Sequence, residues 1–288
     1  MSAFSLITNF ALFVGLALGV GAVATRWWVV PSGRADLEEG TARIGAHAAL
    51  LLLLAMLLVF ARQLVEFRDP FSPWQDEALL LLGTTWGRSW VYGALGAVAL
   101  VMACRAHVAG RRGGAKISAL LIFSLGLFPA ATGHANAGDL RGFTLVADVV
   151  HVWGMGGWVG GLATILLLEW AHRRRSTSAG SLLRDLIPRF SPLAMVSVGA
   201  LSLTGLFASW AHVDGVGALF GTTYGRLLLL KLALVGGVLG LGAINFRRLT
   251  PRLDTPEGPG AMRRSATFEL VVAGLVLVVT AVLVRTSP

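Results

Sequence analysis

The sequence contains few charged residues: they make up 14% of its 288 positions, whereas hydrophobic residues make up 55%. A soluble domain carries about a quarter charged residues, so this chain has too few to cover a surface that faces water. It also contains a single cysteine, Cys104, which excludes an internal disulfide and a Cys-x-x-Cys metal site. We interpret Cys104 as a small buried apolar residue.

Acidic residues are scarce relative to basic ones, 15 against 24. The basic residues are not spread evenly, because 17 of them lie in alternate connections between the apolar runs described below and only six lie in the others. Lys and Arg in short loops mark the cytoplasmic side of a membrane protein. The positive charge therefore predicts a topology with both termini outside, and it does not indicate nucleic-acid binding.

Long apolar runs are what the sequence has in abundance. A helix needs about 20 apolar residues to cross the hydrocarbon core, and the mean hydropathy of the whole chain is +0.73. The first run has no basic residue before it, so we interpret it as a retained helix and not as a signal peptide. The pattern predicts an all-α polytopic protein in the inner membrane, with eight transmembrane helices at 1–25, 44–61, 89–104, 117–138, 149–168, 190–213, 227–246 and 265–284.

A six-residue pattern occurs twice, each time just before a predicted span. Residues 83–88 read G-T-T-W-G-R and residues 221–226 read G-T-T-Y-G-R. Four spans separate the two copies, which predicts two parallel four-helix halves, 1–138 and 139–288, within one transmembrane domain. The alternative interpretation is a favourable turn followed by an aromatic anchor at the membrane surface, Trp86 or Tyr224.

The fifth predicted span opens with a stripe of unusual side chains. Asp148, His151, Met155 and Trp158 fall on one face of a regular helix. An ionisable residue inside a membrane span is costly and is a functional candidate by default. The other face carries two overlapping small-xxx-small pairs suited to close helix packing, namely Gly156, Gly157, Gly160 and Gly161.

Two further histidines, His134 and His212, end the fourth and sixth predicted spans on the same outer side. Imidazole together with thioether is a ligand set suited to copper, particularly Cu(I). We therefore predict a metal site near the outer surface, while a packing role for Met155 and a structural role for His212 remain open. Asp148 could instead orient the imidazole of His151. The predicted ligands are His134, His151, Asp148, Met155 and His212.

Three more charged residues lie in or at the ends of predicted spans. Lys231 is one turn into the seventh span, where it either extends toward the outer surface or neutralises Asp148. Glu169 and Glu269 lie near cytoplasmic helix ends and are candidates for proton coupling or for an exit path.

Several short motifs together resemble the copper resistance D (CopD) family of membrane proteins. They are G-H-A at 133–135, the D-x-x-H and W-x-G-G groups of 148–161, R-F-S at 189–191, T-G at 204–205, Y-G-R at 224–226, Lys231 and Asn245. The resemblance implies an eight-span inner-membrane protein that moves copper inward, with a separate periplasmic CopC-like copper-binding partner. It implies ligand roles for His134 and His151, with Asp148 beside them. Trp158, Tyr224 and Lys231 are the expected transport or structural residues.

The sequence thus predicts a copper-handling permease that moves copper ions from the periplasm to the cytoplasm. It contains no nucleotide-binding loop and no nucleophile–base arrangement, so we expect no enzymatic activity and no ATP-driven step. One alternative is a membrane electron carrier that holds haem b between His134 and His151. Another is an accessory subunit that passes copper to a membrane oxidase without transporting it.

Overall fold

The computed structural model describes residues 3–69, 71–111, 113–127, 141–175, 180–212, 216–284 and 286. The regular elements within these residues are all helical. They are α1 (Ala3–Ala24), α2 (Ala35–Phe67), α3 (Trp74–Gly83), α4 (Thr85–Val108), α5 (Gly114–Leu125), α6 (Arg141–Met155), α7 (Gly161–Arg175), α8 (Leu183–His212), α9 (Val216–Gly221), α10 (Thr223–Ile244) and α11 (Gly258–Leu283).

Three π-helical segments continue or join these helices. Segment π1 (Thr25–Val29) follows α1, π2 (Gly156–Gly160) joins α6 to α7, and π3 (Asn245–Leu249) follows α10 and leads into a 3-10 turn, Thr250–Arg252. A π-helical turn takes in an extra residue and is frequent at functional sites. Two of these segments, π2 and π3, contribute side chains to the site described below.

Seven helices in the described residues are long and apolar enough to cross a membrane. They correspond to the first three and the last four predicted spans, with α6, π2 and α7 forming one continuous crossing at Gly142–Arg175. The protein is therefore an all-α, multi-pass membrane protein. The fourth predicted span, 117–138, begins within α5, and its remainder lies outside the described residues.

Apolar side chains form two separate buried clusters. One lies among α1, α2, α4 and α5 and includes Leu52 and Met56. The other is built mainly from α7, α8 and α11 and includes Ile165 and Leu186. Many other large apolar side chains point outward, for example Val196 and Leu203, which are both 72% exposed. This distribution suits a bundle whose outer face contacts lipid, while the two repeated halves stay a prediction.

The repeated Gly-Thr-Thr pattern starts two of the spanning helices. The hydroxyl of Thr84 accepts a hydrogen bond from the backbone N–H of Gly87, and that of Thr222 accepts one from Gly225. Both threonines are therefore helix N-caps. In each case a short helix precedes the cap, α3 before α4 and α9 before α10. The turn interpretation of this pattern is confirmed in geometry.

The glycines of π2 and α7 allow neighbouring helices to approach closely. A Cβ atom on Gly160 would lie 1.8 Å from the carbonyl oxygen of Ala17 in α1. A Cβ atom on Gly161 would lie 2.8 Å from the ring of Phe190 in α8. The predicted packing role of these glycines is thus confirmed, and the two small-xxx-small pairs serve two different neighbours.

Candidate functional site

His151 lies on α6 and faces Thr204 on α8. Its Nδ1 atom is 2.9 Å from the Thr204 hydroxyl oxygen. That hydroxyl donates to the carbonyl oxygen of Ala200 at 2.7 Å, as a threonine inside a helix commonly does. A hydroxyl has one proton to donate, so it accepts the contact from His151. We therefore assign the proton of the neutral imidazole to Nδ1, which leaves the lone pair on Nε2.

Gly205 gives the imidazole its space on the surface of α8. A Cβ atom at Gly205 would lie 3.9 Å from Cε1 of His151, so the ring packs directly over this glycine. Thr204 and Gly205 together form the T-G pair of the sequence motif. Thr204 fixes the orientation of the imidazole ring, and Gly205 allows the ring to approach α8.

Lys231 lies on α10, is partly buried, and is close enough to His151 for its charge to act on the imidazole. Among the described residues it forms no ion pair with a carboxylate. The structure thus associates Lys231 with the imidazole. Tyr224, two turns earlier in α10, is half-buried at the start of the same helix.

The structure describes only some of the other predicted ligands. Asp148 lies one turn before His151 on α6 and is half-buried, as is Met155, the last residue of α6. His134 lies outside the described residues, and His212 ends α8 with its side chain outside them as well. In the described part of the chain no three His, Cys, Asp or Glu side chains converge on one point. The five-residue ligand set therefore stays a prediction.

The regular helix on which the predicted stripe depends ends before Trp158. Because π2 begins directly after Met155, the regular α-helical spacing that put Trp158 on the face of His151 no longer holds. The indole is instead buried, and its Nε1 donates to Oε1 of Glu269 at 3.0 Å. Trp158 thus links the fifth predicted span to the last one.

Glu269 is the centre of a second polar group, which lies inside the bundle. Its other oxygen, Oε2, accepts a hydrogen bond of 2.6 Å from Nδ2 of Asn245, the first residue of π3. The three side chains are almost completely buried: Glu269 is 3% exposed, Trp158 7% and Asn245 8%. The Oδ1 atom of Asn245 is buried and has no hydrogen-bond partner in the part of the chain that the structure describes.

A cavity of about 300 Å³ borders this group. Trp158, Asn245 and Glu269 line it, mainly apolar side chains of α8 and α10 complete its wall, and two hydroxyls, Ser191 and Thr250, reach it. The sequence had singled out Glu269 as a charged residue within an apolar run. The cluster itself was missed, because its members lie on three spans and no sequence spacing connects them.

Glu169, the other predicted coupling candidate, has a different environment. Its side chain is 0% exposed and accepts hydrogen bonds from the hydroxyl of Ser181 and the backbone N–H of Leu182. Arg263 of α11 lies 3.8 Å away. These contacts fix the connection that leads into α8. The structure therefore favours a structural role for Glu169.

The comparisons with known proteins agree with the resemblance found in the motifs. The model of the family described as Copper resistance protein D matches residues 184–283. That segment contains Thr204, Lys231, Asn245 and Glu269 and begins after His151.

Two curated relatives are also similar to the chain. An alignment of 247 positions with the copper transport protein CutJ of Bacillus subtilis (strain 168) is 29% identical and covers 82% of this chain and 44% of that protein. An alignment of 308 positions, gaps included, with the copper resistance protein D of Pseudomonas syringae pv. tomato is 29% identical and covers 99% of this chain and 95% of that protein. The chain thus spans less than half of the Bacillus protein. No solved structure matches it.

The predicted relationship to the copper resistance D family is confirmed by these matches. The chain is a multi-pass membrane protein related to bacterial copper resistance and copper transport proteins, and an inner-membrane location agrees with that family.

Proposed function

We propose that this protein transports copper ions across the inner membrane, from the periplasm to the cytoplasm, and that His151 is a ligand on the path. The observation that carries the proposal is the contact of His151 with Thr204. This contact gives an intramembrane imidazole an orientation suited to binding a metal ion. The relationship to copper proteins supports copper as that ion.

The hydrogen bond to Thr204 performs the task that an outer-shell partner performs in metal sites. A ligand histidine usually donates its second ring N–H to an oxygen atom, which fixes the tautomer and the direction of the ring. In this protein the oxygen belongs to Thr204, whose own proton is given to Ala200. The lone pair on Nε2 of His151 then faces away from this contact, and Nε2 is the metal-binding atom. Copper in either oxidation state accepts imidazole nitrogen.

The distribution of basic residues supports a metal site on the periplasmic side, where inward transport would begin. The alternation of Lys and Arg puts the start of α6, and with it His151, toward the outer surface. A copper ion would be delivered there by a periplasmic protein of the CopC type and held by His151 together with His134, Asp148, Met155 and His212. These additional ligands would supply imidazole, carboxylate and thioether groups.

Metal analysis and visible spectroscopy of the detergent-purified protein test the site. We expect stoichiometric copper after incubation with Cu(I), and its loss in His151→Ala. His172→Ala is the matched control, because His172 lies among the arginines at the other end of α7 and contacts the carbonyl of Gly180. Equal copper binding by His151→Ala and the native protein would show that the site assignment is wrong.

The same spectrum distinguishes a copper site from the haem site that an electron carrier would have. A Soret band that disappears in His151→Ala would show that the histidines hold haem b and would overturn the copper proposal. Copper uptake into vesicles that contain the purified protein, measured in both orientations, then tests the direction. Stoichiometric copper binding without uptake would identify an accessory subunit that delivers copper without transporting it.

A further inference from the structure

Glu269 is a carboxylate in the interior of the bundle whose two hydrogen-bond donors are both neutral. Trp158 donates to one oxygen and Asn245 to the other. Among the described residues it forms no ion pair. We propose that Glu269 is a proton-binding site within the membrane, which takes up and releases its proton through the adjoining cavity.

The first argument is the cost of an uncompensated charge. An ionised group taken out of water without a partner costs several kcal/mol, and ionisable residues inside membrane spans mark ion or proton pathways. Two neutral N–H donors reduce this cost but supply no positive charge. A bound proton supplies the compensating positive charge in the smallest volume. Carboxylate and amide oxygens are hard ligands and match Cu(I) poorly, so we assign this site to the proton and not to copper.

Charged groups on the elements packed around α11 do not neutralise Glu269. Arg263 on α11 itself lies beside Glu169 of α7, Arg26 of π1 pairs with Glu38, and Lys231 of α10 lies near His151 of α6. The side chain of His212, which ends α8, lies outside the described residues, and His172 at the end of α7 is half-buried. The remaining charged residues of these elements are exposed. They are Arg173, Arg174 and Arg175 of α7, Arg184, Asp185 and Arg189 of α8, Arg226 of α10, Arg247 and Arg248 of π3, Arg252 of the 3-10 turn, and Arg264 of α11.

Asn245 provides the second argument, because its amide suits both protonation states of Glu269. In the arrangement observed, Nδ2 donates to the carboxylate and Oδ1 is buried without a partner. When Glu269 gains a proton, its new O–H needs an acceptor. Rotation of the Asn245 amide by half a turn presents Oδ1 to that O–H, while Nδ2 turns to the position that Oδ1 occupied. The buried orphan oxygen, which is otherwise costly, is thus the acceptor for the protonated state.

The third argument is the presence of a route for the proton. The cavity extends from Glu269 to Thr250, which lies in the turn after π3 at the predicted cytoplasmic end of the span. Its volume of about 300 Å³ has room for several water molecules, each of which occupies about 30 Å³ in the liquid. Water hydrogen-bonded to Ser191, Thr250 and Asn245 would connect the carboxyl group to the cytoplasmic surface.

The position of Glu269 relative to His151 suggests what the proton does. Trp158 follows His151 by seven residues, which corresponds to about 10 Å along a helix. The indole therefore connects the carboxyl group with the element that carries the proposed copper ligand. Exchange of a proton at Glu269 for a copper ion at His151 would couple the two movements. This coupling rests on the proposed function, whereas proton binding by Glu269 does not.

Infrared difference spectroscopy of the purified protein, without copper, tests proton binding. Between alkaline and acidic pH we expect the C=O stretching band of a buried carboxylic acid to appear, and to shift in D₂O because its proton exchanges. The band should disappear in Glu269→Gln and remain in Glu257→Gln, whose carboxyl group is exposed. An identical band in the native protein and Glu269→Gln, or no such band at any pH, would overturn the proposal.

Two further variants keep the test valid if Glu269→Gln does not fold. Trp158→Phe and Asn245→Ala each remove one hydrogen-bond donor from the carboxyl group, so the frequency of the same band should shift in both. A band at the native frequency in both variants would mean that it belongs to another carboxyl group, which contradicts the proposal.

Transport measurements then test the coupling separately. We expect Glu269→Gln to bind copper stoichiometrically, because His151 is intact, but to lose at least tenfold in the rate of copper uptake and to lose the accompanying movement of protons. Uptake at the native rate in this variant would exclude the coupling. If the native protein transports no copper, the proposed function fails, while the infrared result for Glu269 stands by itself.

Discussion

The indole Nε1 of Trp158 lies 3.0 Å from Oε1 of Glu269, although the two residues are 111 positions apart in the sequence. The contact ties the predicted fifth and eighth spans together in the interior of the bundle. The hydrogen bond compensates the desolvation of the buried carboxyl group in either protonation state. It therefore stabilises the fold in addition to any role in proton binding.

Replacing Trp158 by Phe tests this contribution, because the change keeps most of the ring and removes the N–H donor. We expect the free energy of unfolding to fall by about 1–3 kcal/mol, the cost of leaving a buried hydrogen-bonding group without its partner. Thermal unfolding in detergent measures the loss. Trp170→Phe is the control, since Trp170 is 55% exposed and its ring stacks on Arg174. Equal melting temperatures for the two variants would contradict the assigned contact.

The orientation of His151 depends on the hydroxyl of Thr204. In Thr204→Val the shape of the side chain is kept but Nδ1–H loses its acceptor. We expect copper affinity to fall by about 10–100-fold, as for other outer-shell partners of metal ligands, while the amount of copper bound at saturation is unchanged. Competition with a Cu(I) chelator measures the affinity.

Thr280→Val is the matched control for that experiment. Thr280 also donates its hydroxyl proton to a carbonyl within its own helix, that of Val276, but it does not contact His151. The two variants therefore share the cost of losing an intrahelical bond, and only Thr204→Val should change copper affinity. A native affinity in Thr204→Val would mean that the hydroxyl does not position the imidazole.

Gly160 should tolerate no side chain. The Cβ atom of Gly160→Ala would lie 1.8 Å from the backbone oxygen of Ala17, and a backbone atom cannot move aside as the end of a flexible side chain can. We expect α1 and π2 to separate and the yield of folded protein to fall severely. Gly199→Ala is the control, because nothing lies within 4 Å of its Cβ position. It should leave stability unchanged or raise it by about 0.5–1 kcal/mol.

The sequence was sufficient to predict seven of the eight expected spans, which the structure describes, and the packing role of the π2 glycines. Hydrophobic runs and small-xxx-small spacing depend on residues that are neighbours along one helix, so a single sequence reveals them. The predicted alignment of Trp158 with His151 assumed a regular helix, and π2 interrupts that regularity. Nothing in the composition of residues 156–160 distinguishes a π-helical turn from an α-helical one.

The site was predictable only where its residues share a helix. Asp148 and His151 were found because they are one turn apart in a span, where charge is costly. The partner of His151 was not found, since Thr204 lies on α8 and an isolated threonine in an apolar span is common. Glu269 drew attention as a charged residue, but its contacts with Trp158 and Asn245 depend on how three spans cross.

The two threonine caps provide the last test, which concerns the repeated G-T-T pattern. Thr84 and Thr222 each accept a hydrogen bond from a glycine N–H three residues later. Replacing either by Ala should lower the free energy of unfolding by about 1 kcal/mol, and replacing either by Ser should restore most of it, because serine keeps the accepting oxygen. Thermal unfolding of the four variants in detergent gives the comparison. If Thr→Ala and Thr→Ser lose the same stability at a position, the hydroxyl does not cap that helix. If both positions respond alike, the pattern starts α4 and α10 by the same mechanism, as two parallel halves require.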